Sequence, residues 1–181
     1  MIQEIMNQPM QRLRGSATDL IEHGSLHEEL QDLLMRGLTV IDGCAYFCQE
    51  LERNGHLSKE EMGALSHQSI INKQHLDFYL DDTTSTNWDS WCVAQGILLG
   101  QAVLAEVGRL TPLPVDVVIT VDDGGALPPY TDYSVVSFGP DSGDESAPSS
   151  TFRFYVRGNG ERWIEDERLD DMRDAILILR S

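Results

Sequence analysis

The apolar pattern of this chain changes period at Pro114, and that change constrains the fold more than any single motif. Before it, apolar residues recur at steps of three and four, the spacing of one face of a helix. After it, Val115, Val117, Ile119 and Val121 alternate with Asp116, Val118 and Thr120, the spacing of a strand. Pro112 and Pro114 forbid a helix from running through the junction. A run of helices followed by a run of strands predicts an α+β fold, not a βαβ parallel sheet. The strand part is small for independent stability, so the expectation is one domain over residues 1–181, with a helical part at 1–110 and a strand-rich part at 112–181.

Three to four helices are expected in the first part. Ser25 followed by Glu28 forms a capping box ahead of Leu26, Leu30, Leu33, Leu34, Leu38, Ile41, Cys44, Ala45, Cys48 and Leu51. Gly37 and Gly43 interrupt that helical series at about 1 kcal/mol each, and Asn54-Gly55 is a left-handed stop. Ser58 and Glu61 form a second capping box, with Leu57 and Met62 at the staple positions, for a helix to about Leu80. A third helix carries Trp88, Trp91, Cys92, Leu98, Leu99, Ala102 and Val103 on one face and ends at Gly108.

In the second part, a strand is expected at Thr131–Phe138 and a loop at residues 139–150, which hold no large apolar side chain. Thr151–Arg157 and Glu161–Ile164 flank Gly158-Asn159-Gly160 as a hairpin would. A closing helix is expected from about Glu165, with Leu169, Met172, Ile176 and Leu179 as its buried stripe.

Charge narrows the function. Thirty acids against thirteen bases give a net charge of −17. Binding nucleic acid directly needs a Lys/Arg surface, and so does docking on anionic lipid, so neither partner is expected. Residues 81–150 hold eleven acids and one base, Arg109, and most of these acids fall on connections between elements. Clustered acids repel one another and contribute nothing to the fold, but their field steers and orients a cationic partner. The N-terminus has no apolar run of signal-peptide length, and Gln95, Gln101 and Glu106 interrupt the most apolar stretch. With three cysteines, Cys44, Cys48 and Cys92, this suggests a reducing cytoplasm with free thiols.

Catalytic and metal signatures are weak. His23 and His27, and Cys44 and Cys48, have helical i,i+4 spacing. Gly24-Ser25 divides the first pair, and the second belongs to an apolar stripe, where Cys is a small core residue. Asp122-Asp123 at a strand end could hold Mg²⁺ or act as acid and base, but Asp-Gly is also ordinary turn chemistry. No nucleophile elbow or nucleotide fingerprint occurs. No metal and no cofactor are therefore expected.

The reading that follows is a non-enzymatic acidic binding protein of the bacterial or phage cytoplasm. Its best-fitting role is an immunity-type inhibitor that neutralises a cationic toxin or nucleic-acid-acting enzyme by occluding its active site. The acids expected to meet that basic protein partner are Asp122, Asp123, Asp141, Asp144 and Glu145, with Trp88, Trp91 and Tyr130 as anchors. The alternatives are a DNA-mimic inhibitor, a secretion chaperone or adaptor, and a small metal-dependent enzyme using Asp122 and Asp123.

Overall fold

A computed structural model describes residues 2–80, 87–122, 149–158 and 160–181. The chain runs β1 (Gln3–Met6), α1 (Gln8–Ser16), α2 (Thr18–His23), α3 (Glu28–Met35), β2 (Leu38–Ile41), β3 (Cys44–Phe47), α4 (Cys48–Asn54), α5 (Lys59–Met62), α6 (Ala64–Ile71) and β4 (Gln74–His75). A 3₁₀ turn at Leu76–Tyr79 follows, then α7 (Trp88–Leu110), β5 (Val115–Asp122), β6 (Ser149–Val156), a second 3₁₀ turn at Asp166–Asp171, and β7 (Ala175–Arg180). The fold is α+β, as the change of period requires.

Five strands form one antiparallel sheet in the order β1-β7-β5-β6-β4, and β2 and β3 pair as a separate hairpin. Alternation sorts the sheet residues. Val117, Ile119, Val121, Phe152, Phe154, Leu177 and Leu179 face the main core with Val93, Ile97 and Val103 of α7. Val118, Tyr155, Ile176 and Ile178 face the other side, where Ile164 and Leu169 cover part of them. Helix α7 comes very close to the sheet. A methyl group at Gly96 would lie 2.9 Å from Ile119 Cγ2, and one at Gly100 would lie 2.6 Å from Leu179 Cδ1.

Helix α7 is long and apolar enough to cross a bilayer by length and composition, but 61% of its most apolar window is buried inside the protein. It extends two residues past the expected stop at Gly108, to a cap at Thr111.

The expected helix over residues 25–54 is instead α3, the β2–β3 hairpin and α4. Thr39, Val40 and Ile41 are β-branched, and Asp42 (φ 49°) with Gly43 (φ 73°) makes the two-residue left-handed turn that such hairpins favour. The cap of α3 is His27, whose Nδ1 accepts the Glu29 N–H at 3.4 Å, and not Ser25. Gly55 closes α4 at φ −65°, so its stop is not left-handed.

The Ser58 cap is present, its Oγ accepting the Glu61 N–H at 3.3 Å. The helix it starts ends at Met62, because Gly63 adopts φ 78° and a new helix begins at Ala64. Beyond Asn72 the chain becomes β4, not a helix to Leu80.

The closing helix is also overturned. Residues 166–171 form the 3₁₀ turn, and Ala175–Arg180 is the second strand of the sheet. All six residues of β7 are buried, because it has neighbours on both edges and packing on both faces. Such a strand is continuously apolar and shows no alternation. The partners of β6 are β5 and β4, not residues 161–164, which are not a strand. Ser149 and Ser150 of the expected loop belong to β6. The remainder of that loop and the Thr131–Phe138 strand lie outside the described residues.

Candidate functional site

Acids and half-buried aromatics meet on the described surface around α3. This helix buries Leu30 and Leu33 and exposes Glu28, Glu29 and Asp32. Alternating buried and charged positions at helical spacing set that orientation. The linker before α3 is fixed to α7 by one side chain. Gln95 Oε1 accepts the His27 N–H at 2.7 Å, and Gln95 Nε2 donates to the Ser25 carbonyl at 3.1 Å.

His27 is thereby set between two rings. Its centroid lies 5.8 Å from Tyr79 and 6.0 Å from Trp91, the latter edge-on. A shallow groove of about 420 Å³ runs along the Trp91 side, bounded by Glu28 and Gln31. A second, of about 320 Å³, runs along the Tyr79 side between Glu29, Asp32, Glu50, Arg36 and Arg53. Tyr79 donates its hydroxyl to Gln74 Oε1 at 2.9 Å. Burial raises its pKa, and the negative fields of Glu29 and Glu50 raise it further, against a smaller opposing effect of Arg53. Arg53 is tied to Glu50 at 3.4 Å. The arrangement offers aromatic contact area beside carboxylates on the protein surface.

The residues expected from sequence divide. Trp88 and Trp91 sit in the first turn of α7, both partly buried against the main core, and Trp91 belongs to this surface. Asp122 ends β5 opposite Ser149 and already has an interaction partner. Asp123, Tyr130, Asp141, Asp144 and Glu145 lie outside the described residues. Sequence reasoning weighed His27 only as a metal ligand and passed over Glu29, Asp32, Glu50 and Tyr79. The acids of α3 read as an ordinary solvated helix face, and nothing local joins Tyr79 to His27.

The metal candidates do not assemble. His23 ends α2 and His27 caps α3, with Gly24 extended between them. Cys44 lies on β3 and Cys48 opens α4, so they share no helical face. No group of three or more potential ligands occurs among the described residues. All three cysteines are free. Cys44 and Cys92 are buried, and burial pushes the Cys92 thiol up to about 12, which suppresses the thiolate. His67 is a satisfied structural residue, with Nδ1 2.9 Å from the Tyr46 hydroxyl and Nε2 3.1 Å from the Leu57 carbonyl.

Comparison with known proteins places the chain in one family. Residues 5–181 match the uncharacterized protein PM0498 family, and the chain belongs to it. No curated protein and no solved structure matches it.

Proposed function

We propose that this chain is a non-enzymatic binding protein whose α3 surface engages a cationic protein, and that its role is immunity-type inhibition of a toxin-like enzyme. The observation that carries the reading is the ring cluster of His27, Tyr79 and Trp91 set among Glu28, Glu29, Asp32 and Glu50. Large, stiff aromatic side chains supply contact area at low entropic cost, and surrounding acids steer a basic partner. The acid excess of the whole chain acts in the same direction by raising the rate of encounter.

The test begins with capture of a partner from the source lysate, followed by its purification. Association is then measured over a range of salt for the wild type, for the combined Glu29→Gln, Asp32→Asn and Glu50→Gln variant, and for Trp91→Ala. The acid variant is expected to slow association and weaken its salt dependence, and Trp91→Ala to speed dissociation. The partner's own activity should fall on binding. Binding indifferent to both variants, or a partner whose activity is unaffected, would overturn the proposal.

A further inference from the structure

The sheet face away from α7 is laid out in rows by the strand register. His75, Thr151, Thr120 and Ile176 form one row, since His75 pairs with Thr151, Thr151 with Thr120, and Thr120 with Ile176. Because Gln74 pairs with Phe152, Lys73 stands opposite Arg153, which pairs with Val118 in the next row. Tyr155, Asp116 and Arg180 form the third. Two of these rows carry charge, and they manage it differently.

In the third row, cations and carboxylates are matched. Arg180 and Arg157 approach Asp116, and Arg180 and Arg162 share Asp166. Elsewhere Arg14 pairs with Glu4, Arg53 with Glu50 and Arg109 with Glu106. Around Arg153 the balance is reversed. Lys73 and His75 meet Arg153 from the adjacent strand, and the Asp77 carboxylate acts on both Lys73 and His75. Its Oδ1 lies 4.0 Å from His75 Nδ1 and already accepts the Ser150 N–H at 2.9 Å. No carboxylate among the described residues pairs with Arg153, whose guanidinium carbon lies 4.8 Å over the Trp163 ring.

We infer that Lys73, His75 and Arg153 form a binding site for a phosphate-type oxyanion on the sheet face away from α7. An ammonium, an imidazole and a guanidinium together provide directional donors and the charge to hold a dianion. Thr120 and Thr151, whose hydroxyls hydrogen-bond each other at 2.7 Å, leave one hydroxyl hydrogen as a further donor in the adjoining row. Burial lowers the pKa of all three groups. The mutual repulsion of Lys73 and Arg153 adds to this for Lys73, and both lower His75. A bound anion relieves that cost. Phe78, 78% exposed, stacks on the His75 ring at 4.7 Å and 14° and leaves its other face to solvent, where an aromatic phosphomonoester has a ring to meet. This site is independent of the α3 surface.

The test titrates inorganic phosphate, and separately AMP, at constant ionic strength with chloride as the control ion. The readouts are the His75 imidazole and Trp163 indole NMR signals and the melting temperature. Saturable shifts with phosphate but not chloride are expected, weakened about tenfold or more in Arg153→Gln and Lys73→Gln. Tighter AMP binding that Phe78→Ala abolishes supports an aromatic phosphomonoester, and equal binding supports free phosphate. If Arg153→Gln does not fold, Lys73→Gln decides, because Lys73 is only partly buried. No saturation beyond chloride, or equal responses in wild type and Lys73→Gln, would mean that these cations serve only to guard a sheet edge and would overturn the inference.

Discussion

Asp116 on β5 and Arg180 on β7 are cross-strand neighbours, with carboxylate Oδ1 and guanidinium Nε 3.1 Å apart and 1% and 9% of their side chains exposed. The pair is the centre of a larger group. Arg180 also reaches both oxygens of Asp166, at 2.9 and 3.0 Å, and Tyr155 donates its hydroxyl to Asp116 at 3.4 Å. Arg157 Nε lies 3.1 Å from Asp116 but off the line of a hydrogen bond, so it supplies charge without a directed contact. Removing Asp116 alone takes from Arg157 the carboxylate it approaches and leaves Arg180 with Asp166, around a buried position. Asp116→Ala is expected to destabilise by about 3–5 kcal/mol, whereas a combined Asp116→Leu and Arg180→Met variant recovers much of that loss. Urea unfolding of the three proteins measures both. A double variant no more stable than Asp116→Ala would contradict this account.

A second prediction concerns how the hairpin joins the sheet. Helix α6 and its C-terminal cap, Asn72, insert two amide side chains between β3 and β6. Asn72 Oδ1 accepts the Phe47 N–H at 3.1 Å, while its Nδ2 donates to the carbonyls of Ala45 at 2.8 Å and Phe154 at 3.1 Å. Gln68 Oε1 accepts from Ala45 at 2.9 Å and from Val156 at 3.0 Å. The side chains thus replace a strand ladder that the backbones do not make. Asn72→Ala leaves buried donors and acceptors without partners and should cost about 1–3 kcal/mol. Hydrogen exchange at Phe47 should accelerate more than at Val118 in the middle of β5. Uniform acceleration across both would show that Asn72 does not act locally.

These amides show what the sequence made legible and what it did not. The period change at Pro114, α7 and β5 were readable because each is long and its pattern depends on one packed face. Cys44, Ala45 and Cys48 continue the steps of the preceding helix by coincidence, and only Asp42-Gly43 betrays the hairpin. Ile176–Leu179 is apolar on both sides because both faces of β7 are covered, which no local pattern distinguishes from a buried helix. The α3 surface was half legible. Trp91 was readable as an aromatic in the first turn of α7, but its grouping with His27 and Tyr79 depends on tertiary contacts between three separate segments.

Two glycines of α7 should respond oppositely to the same change. In Gly100→Ala the new methyl meets Leu179 Cδ1 at 2.6 Å and Val117 Cγ1 at 3.1 Å, so side chains must move. Overpacking costs about 1–3 kcal/mol and outweighs the helix-propensity gain of about 1 kcal/mol. Gly108 has nothing within 4 Å of the same methyl, so Gly108→Ala keeps the propensity gain. Thermal melts should place Gly100→Ala below the wild type and Gly108→Ala above it. The reverse order would mean that α7 does not lie this close to β5 and β7.

The last prediction is a pH dependence centred on His75. Burial lowers its pKa from the ordinary 6.5, the charges of Lys73 and Arg153 lower it further, and Asp77 opposes them. Phe78 stacks on the ring and contributes no charge. The folded protein therefore resists a proton that the unfolded chain accepts readily near pH 6.5. The unfolded state binds more protons in that window, so stability rises with pH there. The contribution is fully present above pH 6.5 and is lost as pH falls from there towards the lower folded value. His75→Asn removes the titrating group and should flatten this part of the stability profile without altering the plateau above it. Melting temperatures collected between about pH 5 and pH 8 for both proteins make the comparison. An identical acid-side decline in the variant would assign the effect to another group.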